Sequence, residues 1–279
     1  MSQIPQYTLS DGSTLPAIGF GTYPLKGDEG VRAVASAIDA GYRLIDTAVN
    51  YQNEDAVGRG IAASGLPRDQ VQLTTKLPGR DHGFDETLAS FDRSCSALGV
   101  DYLDLYLIHW PNPSVGKFVD SWRAMIRLQE QGRVRSIGVS NFTQEFLTRL
   151  QDETGVLPVV NQVELHPFFP QVELLAFHEQ HGIRTEAWSP LGKRAPIREE
   201  HVIVATARAH GVTEAQVILR WQVERGVLPI PKTANMQRQR ENIDVFSFHL
   251  SSEEVTAITA LGRDTGRLFD GDPNTHEEM

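Results

Sequence analysis

Short apolar runs alternate along the chain with longer segments whose apolar residues fall at helical spacing. The runs are AIGFG (17–21), RLID (43–46), VQLTTK (71–76), DLYLIH (104–109), VRSIGVS (134–140), VVNQVE (159–164), RTEAWS (184–189) and VLPIP (227–231). Each has the length and the branched or aromatic content of a buried strand. Between them, EGVRAVASAIDAG, ETLASFDRSCSALG, FVDSWRAMIRLQEQG and VELLAFHEQHG predict helices that stop at glycine, the residue a left-handed helix cap favours. Two helices, REEHVIVATARAHG and TEAQVILRWQVERG, fill the interval between the seventh and eighth strands. The second opens with Thr213 and Gln216 at capping-box spacing. SSEEVTAITALG, beyond the last strand, opens with Ser251 and Glu254 at the same spacing.

Strands separated by helices predict parallel pairing, because each crossover runs through a helix. For eight such units the simplest closure is a (β/α)8 barrel, an α/β fold. Ahead of the first strand, YTLSDGSTLPAI carries an Asp-Gly pair between two β-prone runs, which predicts a hairpin outside the barrel that plugs it. The chain shows no linker and no low-complexity stretch, so one domain is expected over residues 1–279. The closing segment GRDTGRLFDGDPNTHEEM is polar and acidic and reads as a loop with a frayed end.

Composition narrows the class. A chain of 279 residues is close to the roughly 250 of a closed α/β barrel. With 36 acidic against 26 basic residues the net charge is −10, which disfavours nucleic acid and anionic membranes as partners. The one cysteine, Cys95, can form no internal disulfide and stands in a helical segment, as a small core residue does. There is no apolar leader and no run of ~18 apolar residues, so a cytoplasmic protein is expected. The histidines show no H-x-x-x-H pairing, and no metal site is expected.

The strand ends carry the chemistry. In such a barrel the loops after the strands build the active site. The second strand ends at Asp46, the third at Lys76 and the fourth at His109, with Tyr51 in the loop after the second. Singly, each has an ordinary structural explanation: a cap, a solvated ammonium, a satisfied core imidazole, a packed phenol. Together they form a chain with a purpose. A phenol is a poor acid at neutral pH. A neighbouring ammonium stabilises the phenolate, and a carboxylate lets that ammonium sit in a closed site. A histidine beside the phenol can orient a substrate oxygen. The set can protonate an oxygen as negative charge builds on it, which carbonyl reduction requires.

The blocks LIDTAVNYQNE, TTKL, DLYLIHWP, SIGVSNF, NQVELHP and IPKT, in this order and across essentially the whole chain, resemble the signature blocks of the aldo-keto reductase family. The resemblance is strongest to short-looped bacterial members such as the 2,5-diketo-D-gluconate reductases. It implies a tetrad of Asp46, Tyr51, Lys76 and His109, and a barrel that binds NADP(H) and reduces aldehydes or ketones.

The chain has no G-x-G-x-x-G after a strand, because GFGTYP lacks the last glycine. A barrel can instead hold a phosphate near the loops after its last two strands. There, IPKTANMQRQREN places Lys232, Thr233, Arg238 and Arg240 at a helix start, where backbone N–H groups favour anions. The resemblance implies further contacts. Ser140, Asn141 and Gln162 would hold the nicotinamide amide, with Trp188 stacked on the ring and Gly21 and Thr22 on its other side. Ser189, Leu191 and Gly192 would follow the pyrophosphate, while Lys232, Thr233 and Arg238 hold the 2′-phosphate and Glu241 and Asn242 the adenine. Trp188 departs from the tyrosine usual in the family.

Tyr23, Asn50, Trp110 and Phe269 are expected to line the substrate pocket, beside Tyr51 and His109. The loop WPNPSVGKF is short, which predicts a pocket open on that side and suited to small aldehydes, α-dicarbonyls or keto-sugars. A monomer is expected. Two other readings stand beside this one. The first is a non-catalytic NADP(H)-binding regulatory subunit of the same fold, against which the intact tetrad argues. The second is an isomerase or aldolase using Lys76 as a Schiff base, against which the pairing with Asp46 argues.

Overall fold

The computed structural model describes residues 4–193, 195–268 and 271–279. A hairpin comes first, β1 (Gln6–Thr8) paired antiparallel with β2 (Thr14–Pro16). Eight parallel strands follow: β3 (Phe20–Gly21), β4 (Leu44–Asp46), β5 (Gln72–Leu77), β6 (Leu103–Ile108), β7 (Val134–Ser140), β8 (Val160–Glu164), β9 (Arg184–Trp188) and β10 (Leu228–Pro229). They pair in chain order from β3 to β10. The two ends then meet. Gly19 N donates to Pro229 O at 3.0 Å and Gly21 N to Pro231 O at 3.1 Å, closing a (β/α)8 barrel. β3 and β10 are shorter than the apolar runs 17–21 and 227–231. Pro229 and Pro231 have no N–H to donate, so the seam uses their carbonyls alone.

The helices are α1 (Gly27–Asp39), α2 (Glu54–Ala63), α3 (Phe84–Leu98), α4 (Phe118–Glu130), α5 (Gln144–Thr154), α6 (Val172–Gln180), α7 (His201–His210), α8 (Glu214–Glu224), α9 (Met236–Ile243) and α10 (Ser252–Thr259). As expected, α7 and α8 both lie between β9 and β10, and both capping boxes are formed. The apolar pattern does not reveal α5. Its sequence is mostly polar, it buries only Leu147 and Leu150, and Thr143 caps it.

Side chains alternate along each strand between the barrel interior and the helix layer. Ile45, Tyr106, Ile108, Ile137 and Val139 join the helices in one large core. Leu44, Leu105, Leu107, Val160, Leu228 and Ile230 instead pack together with Leu9 and Leu15 of the hairpin. The hairpin therefore closes the lower end of the barrel, and its Asp11 accepts from Ser136 Oγ at 2.7 Å. Gly138 faces inward with no Cβ; a methyl there would lie 2.7 Å from both Leu107 Cδ2 and Val160 O.

Above this apolar floor the interior turns polar. Asp46, Lys76, Gln162 and Glu186 are all buried. Lys76 Nζ donates to Asp46 Oδ1 at 2.7 Å, and Gln162 Nε2 donates to Asp46 Oδ2 at 2.9 Å and to Glu186 Oε2 at 2.8 Å. Register places Gln162 directly beside Glu186 across β8 and β9. Burial pushes the Glu186 carboxyl up to about 8, and the Asp46 charge adds to the rise.

That raised value has a consequence for stability. An unfolded glutamate releases its proton near 4.5, whereas the folded Glu186 keeps it to about 8. Across this window the folded chain binds the extra proton, so stability falls as pH rises, at up to about 1.4 kcal/mol per pH unit. Glu186→Gln is uncharged in both states and can still accept from Gln162. Urea unfolding at pH 5 and pH 8 should show a loss of a few kcal/mol in wild type that is absent in the variant. An equal loss in both would mean that Glu186 is ionised throughout.

Candidate functional site

The loops after the strands build one rim. Asp46 ends β4, Lys76 is the penultimate residue of β5, and His109 directly follows β6. Tyr51 closes a single 3-10 turn, Val49–Tyr51. Asn53, buried just beyond, fixes that turn. It accepts from Thr47 Oγ1 at 2.7 Å and donates to the carbonyls of Thr22 and Leu25 at 3.2 and 2.8 Å. The loops after β3 and β4 are thus tied by one side chain that the sequence pattern does not single out.

Lys76 is the hub. Its ammonium is fully buried and donates to Asp46 Oδ1 at 2.7 Å and to Thr47 O at 2.8 Å, and it reaches the Tyr51 hydroxyl at 3.4 Å. Burial opposes its charge, but Asp46 and Tyr51 outweigh that and raise its pKa. The phenol of Tyr51 is pushed up to about 12, mainly by burial. Lys76 lowers it as expected, while the Asp46 charge raises it. The net effect is a phenol less acidic than in water, because Lys76 only partly offsets desolvation. The His109 ring stands edge-on to Tyr51, 5.7 Å between centroids.

One cleft of about 1030 Å³ opens above this group. Gly21, Thr22, Tyr23, Asn50, Trp110, Ser140, Asn141, Gln162, Trp188, Ser189, Leu191, Lys232, Thr233, Arg238, Glu241 and Asn242 line it together with Asp46, Tyr51 and His109. Most positions expected from the sequence therefore converge. Gly192 turns the other way, with Ile197 where its Cβ would be. Phe269 lies outside the described residues. Trp188 is fixed by its indole N–H, which donates to Asn141 Oδ1 at 2.8 Å, a bond tryptophan can make through Nε1 in place of the usual tyrosine. Asn141 in turn donates to His109 O and Ser140 Oγ, each at 3.0 Å. It sits at φ +63°, a left-handed conformation asparagine tolerates.

The far end of the cleft is cationic. Lys232 and Arg238 stand there; Lys193 and Arg198, which the sequence pattern does not single out, also line the cleft, and the Lys193 ammonium lies 5.7 Å from the centre of the Tyr23 ring. The Lys193 ammonium lies below the usual lysine range, through burial and then through the Lys232 charge, against the pull of Glu164. Asn235 caps α9 by accepting from Arg238 N at 3.0 Å, so a helix N-terminus faces the same place. Such an end fits a phosphate. The uncharged middle and the Trp188 face fit a flat ring.

The other end differs from expectation. The side left by the short loop after β6 is covered by residues 271–279, which fold back over it instead of fraying. The His276 ring lies 4.1 Å from that of Trp110, Asn112 Nδ2 donates to Glu278 O at 2.6 Å, and Ser114 N donates to Glu277 Oε1 at 2.8 Å. Asn50 Nδ2 donates to Met279 O at 3.2 Å. These partners are polar groups of the short loop and of the loop after β4, which the acidic segment satisfies.

Known proteins fit this geometry. The model of the Aldo/keto reductase family matches residues 17–263. The chain is 57% identical over 279 residues to 2,5-diketo-D-gluconic acid reductase B of Corynebacterium sp. (strain SHS752001), covering 100% of both chains. It is 46% identical over 270 residues to 9,11-endoperoxide prostaglandin H2 reductase of Trypanosoma cruzi (strain CL Brener), covering 96% of this chain and 94% of that one. Among solved structures, a mutant of Gox0644 in complex with NADPH has a TM-score of 0.94 at 44% identity, over 98% of this chain and 99% of that one. Bombyx mori aldo-keto reductase in complex with NADP has a TM-score of 0.87 at 38% identity, over 94% of each chain. The closed barrel, the residues gathered on its rim and a family model spanning most of the chain agree: this protein belongs to the aldo/keto reductase family.

Proposed function

We propose that this protein is an NADP(H)-dependent oxidoreductase that reduces a small aldehyde, α-dicarbonyl or keto-sugar to the alcohol, with Tyr51 as proton donor. One observation carries the proposal: the buried Lys76 ammonium bridges the Asp46 carboxylate and the Tyr51 phenol at the floor of the cleft. The chain works in this view as one barrel domain, a cytoplasmic monomer. A regulatory subunit would have no use for a desolvated ion pair beneath a phenol.

NADPH, when bound, would supply the hydride. Trp188 would stack on its ring, Ser140, Asn141 and Gln162 would hold the amide, and Gly21 and Thr22 would line the opposite face. Ser189 and Leu191 would follow the pyrophosphate, Lys232, Thr233 and Arg238 would hold the 2′-phosphate, and Glu241 and Asn242 would face the adenine. On the substrate side, Tyr23, Asn50 and Trp110 form the walls and His109 orients the carbonyl oxygen. As the carbonyl carbon gains the hydride, its oxygen takes the electron pair of the C=O π bond. Tyr51 then gives that oxygen its proton. A phenol held near 12 keeps its proton at neutral pH, yet an alkoxide is more basic still, so the transfer runs downhill. Lys76 stabilises the phenolate left behind.

Tyr51→Phe removes the proton and little else. Turnover of an aldehyde should fall at least ~10²-fold, with NADPH affinity near that of wild type. Retention of normal kcat would remove Tyr51 from the donor role.

NADPH and NADH differ by one 2′-phosphate, so discrimination rests on the groups that touch it. A charge-assisted hydrogen bond is worth about 1.5–3 kcal/mol. Arg238→Ala should therefore weaken NADPH about 10–100-fold and leave NADH unchanged or slightly tighter. Tryptophan fluorescence titrations of both cofactors provide the check. Parallel losses would assign Arg238 to folding, and a wild type preferring NADH would refute the phosphate site directly.

A further inference from the structure

Glu278 brings a carboxylate into the substrate end of the cleft. Its Oε2 lies 2.9 Å from His109 Nδ1, off the line of a hydrogen bond. The side chain is 25% exposed. Burial works to raise its pKa, but His109, Asn50 and Lys76 outweigh burial and hold it below the usual carboxylate range. It is therefore ionised at neutral pH.

The segment that carries it is also anchored by contacts that do not use that charge. Its main chain is held by Asn112 and Asn50, and its neighbours by Ser114 and the Trp110 ring. The loop after β5 is shaped to admit it, since a Cβ on Gly79 would stand 2.2 Å from Glu278 O. None of these contacts uses the Glu278 carboxylate. A substrate entering beside His109 thus meets a fixed negative charge, not a strap that swings away with it.

We propose that Glu278 is a specificity-determining residue, selecting against carbonyl substrates that carry a negative charge near the reacting group. The proposal rests on the reductase reading above. It is distinct from that reading because it concerns which carbonyls are accepted, and it runs against transfer of a sugar-acid substrate from the most similar named relative described above. Two carboxylates sharing one partly buried pocket repel, and a neutral carbonyl compound of the same shape does not suffer this.

The test compares 3-carboxybenzaldehyde with its methyl ester, which share the reacting aldehyde and differ by one charge, in wild type and Glu278→Gln. Wild type should favour the ester in kcat/KM, and added salt should narrow the gap. Glu278→Gln should raise kcat/KM for the acid roughly tenfold, about 1.4 kcal/mol. The ester should gain no more than about threefold. Glu278→Asp should keep the wild-type order, and thermal melting with an NADPH titration shows that each variant is folded and binds cofactor. Equal gains for acid and ester would overturn the proposal and trace the effect to the charge that Glu278 places near Tyr51. So would a wild type that prefers the acid. If wild type oxidises NADPH with neither compound, the reductase reading falls and the selectivity falls with it.

Discussion

The structure depends on one desolvated charge. Lys76 is fully buried, and an ammonium there without a partner would not stay charged. Asp46 supplies that partner at 2.7 Å, and the rest of the barrel interior serves to keep Asp46 in place. Thr22 donates its hydroxyl and its N–H to the Asp46 carbonyl, fixing the strand end. Gln162 donates to the second carboxylate oxygen, and Glu186 takes the other N–H of the same amide. Removing any one of these leaves a buried polar group short of a partner, which is costly in a low-dielectric interior. The hairpin and the leucine floor below provide the dry side of the arrangement.

This network sets the acid–base balance above it. Burial raises the phenol of Tyr51 more than Lys76 lowers it. The result is a phenol that keeps its proton at neutral pH. The field is uneven across the cleft. Lys232 and Arg238 line one end of the cleft in a chain whose net charge is −10, and Glu278 stands at the other, beside His109. A doubly charged phosphate would be drawn to the cationic end.

Much of this was legible in the chain. Eight apolar runs separated by helical segments determined the barrel, because parallel strands need crossovers and eight of them close. The strand-end positions of Asp46, Lys76 and His109 determined which side chains would meet, because strand ends of a barrel share one rim. The turn chemistry of the hairpin and the two capping boxes was equally local. Prolines 229 and 231 determined how the seam had to be bonded, though only closure shows what their carbonyls accept from.

Tertiary structure decided what local pattern cannot carry. Glu186 reads as one acid in a short strand, and its meaning appears only when register sets it beside Gln162. Asn53 ties two loops that are far apart in sequence. Whether Tyr51 becomes more or less acidic depends on the balance between burial and Lys76, and burial is a property of the whole fold. The segment 271–279 looks like any polar loop, yet it meets Asn50, Gly79, Trp110 and Asn112, residues up to 229 positions away. Local propensity determines the elements because it depends on neighbours in sequence. The charge each buried group carries depends on neighbours in space.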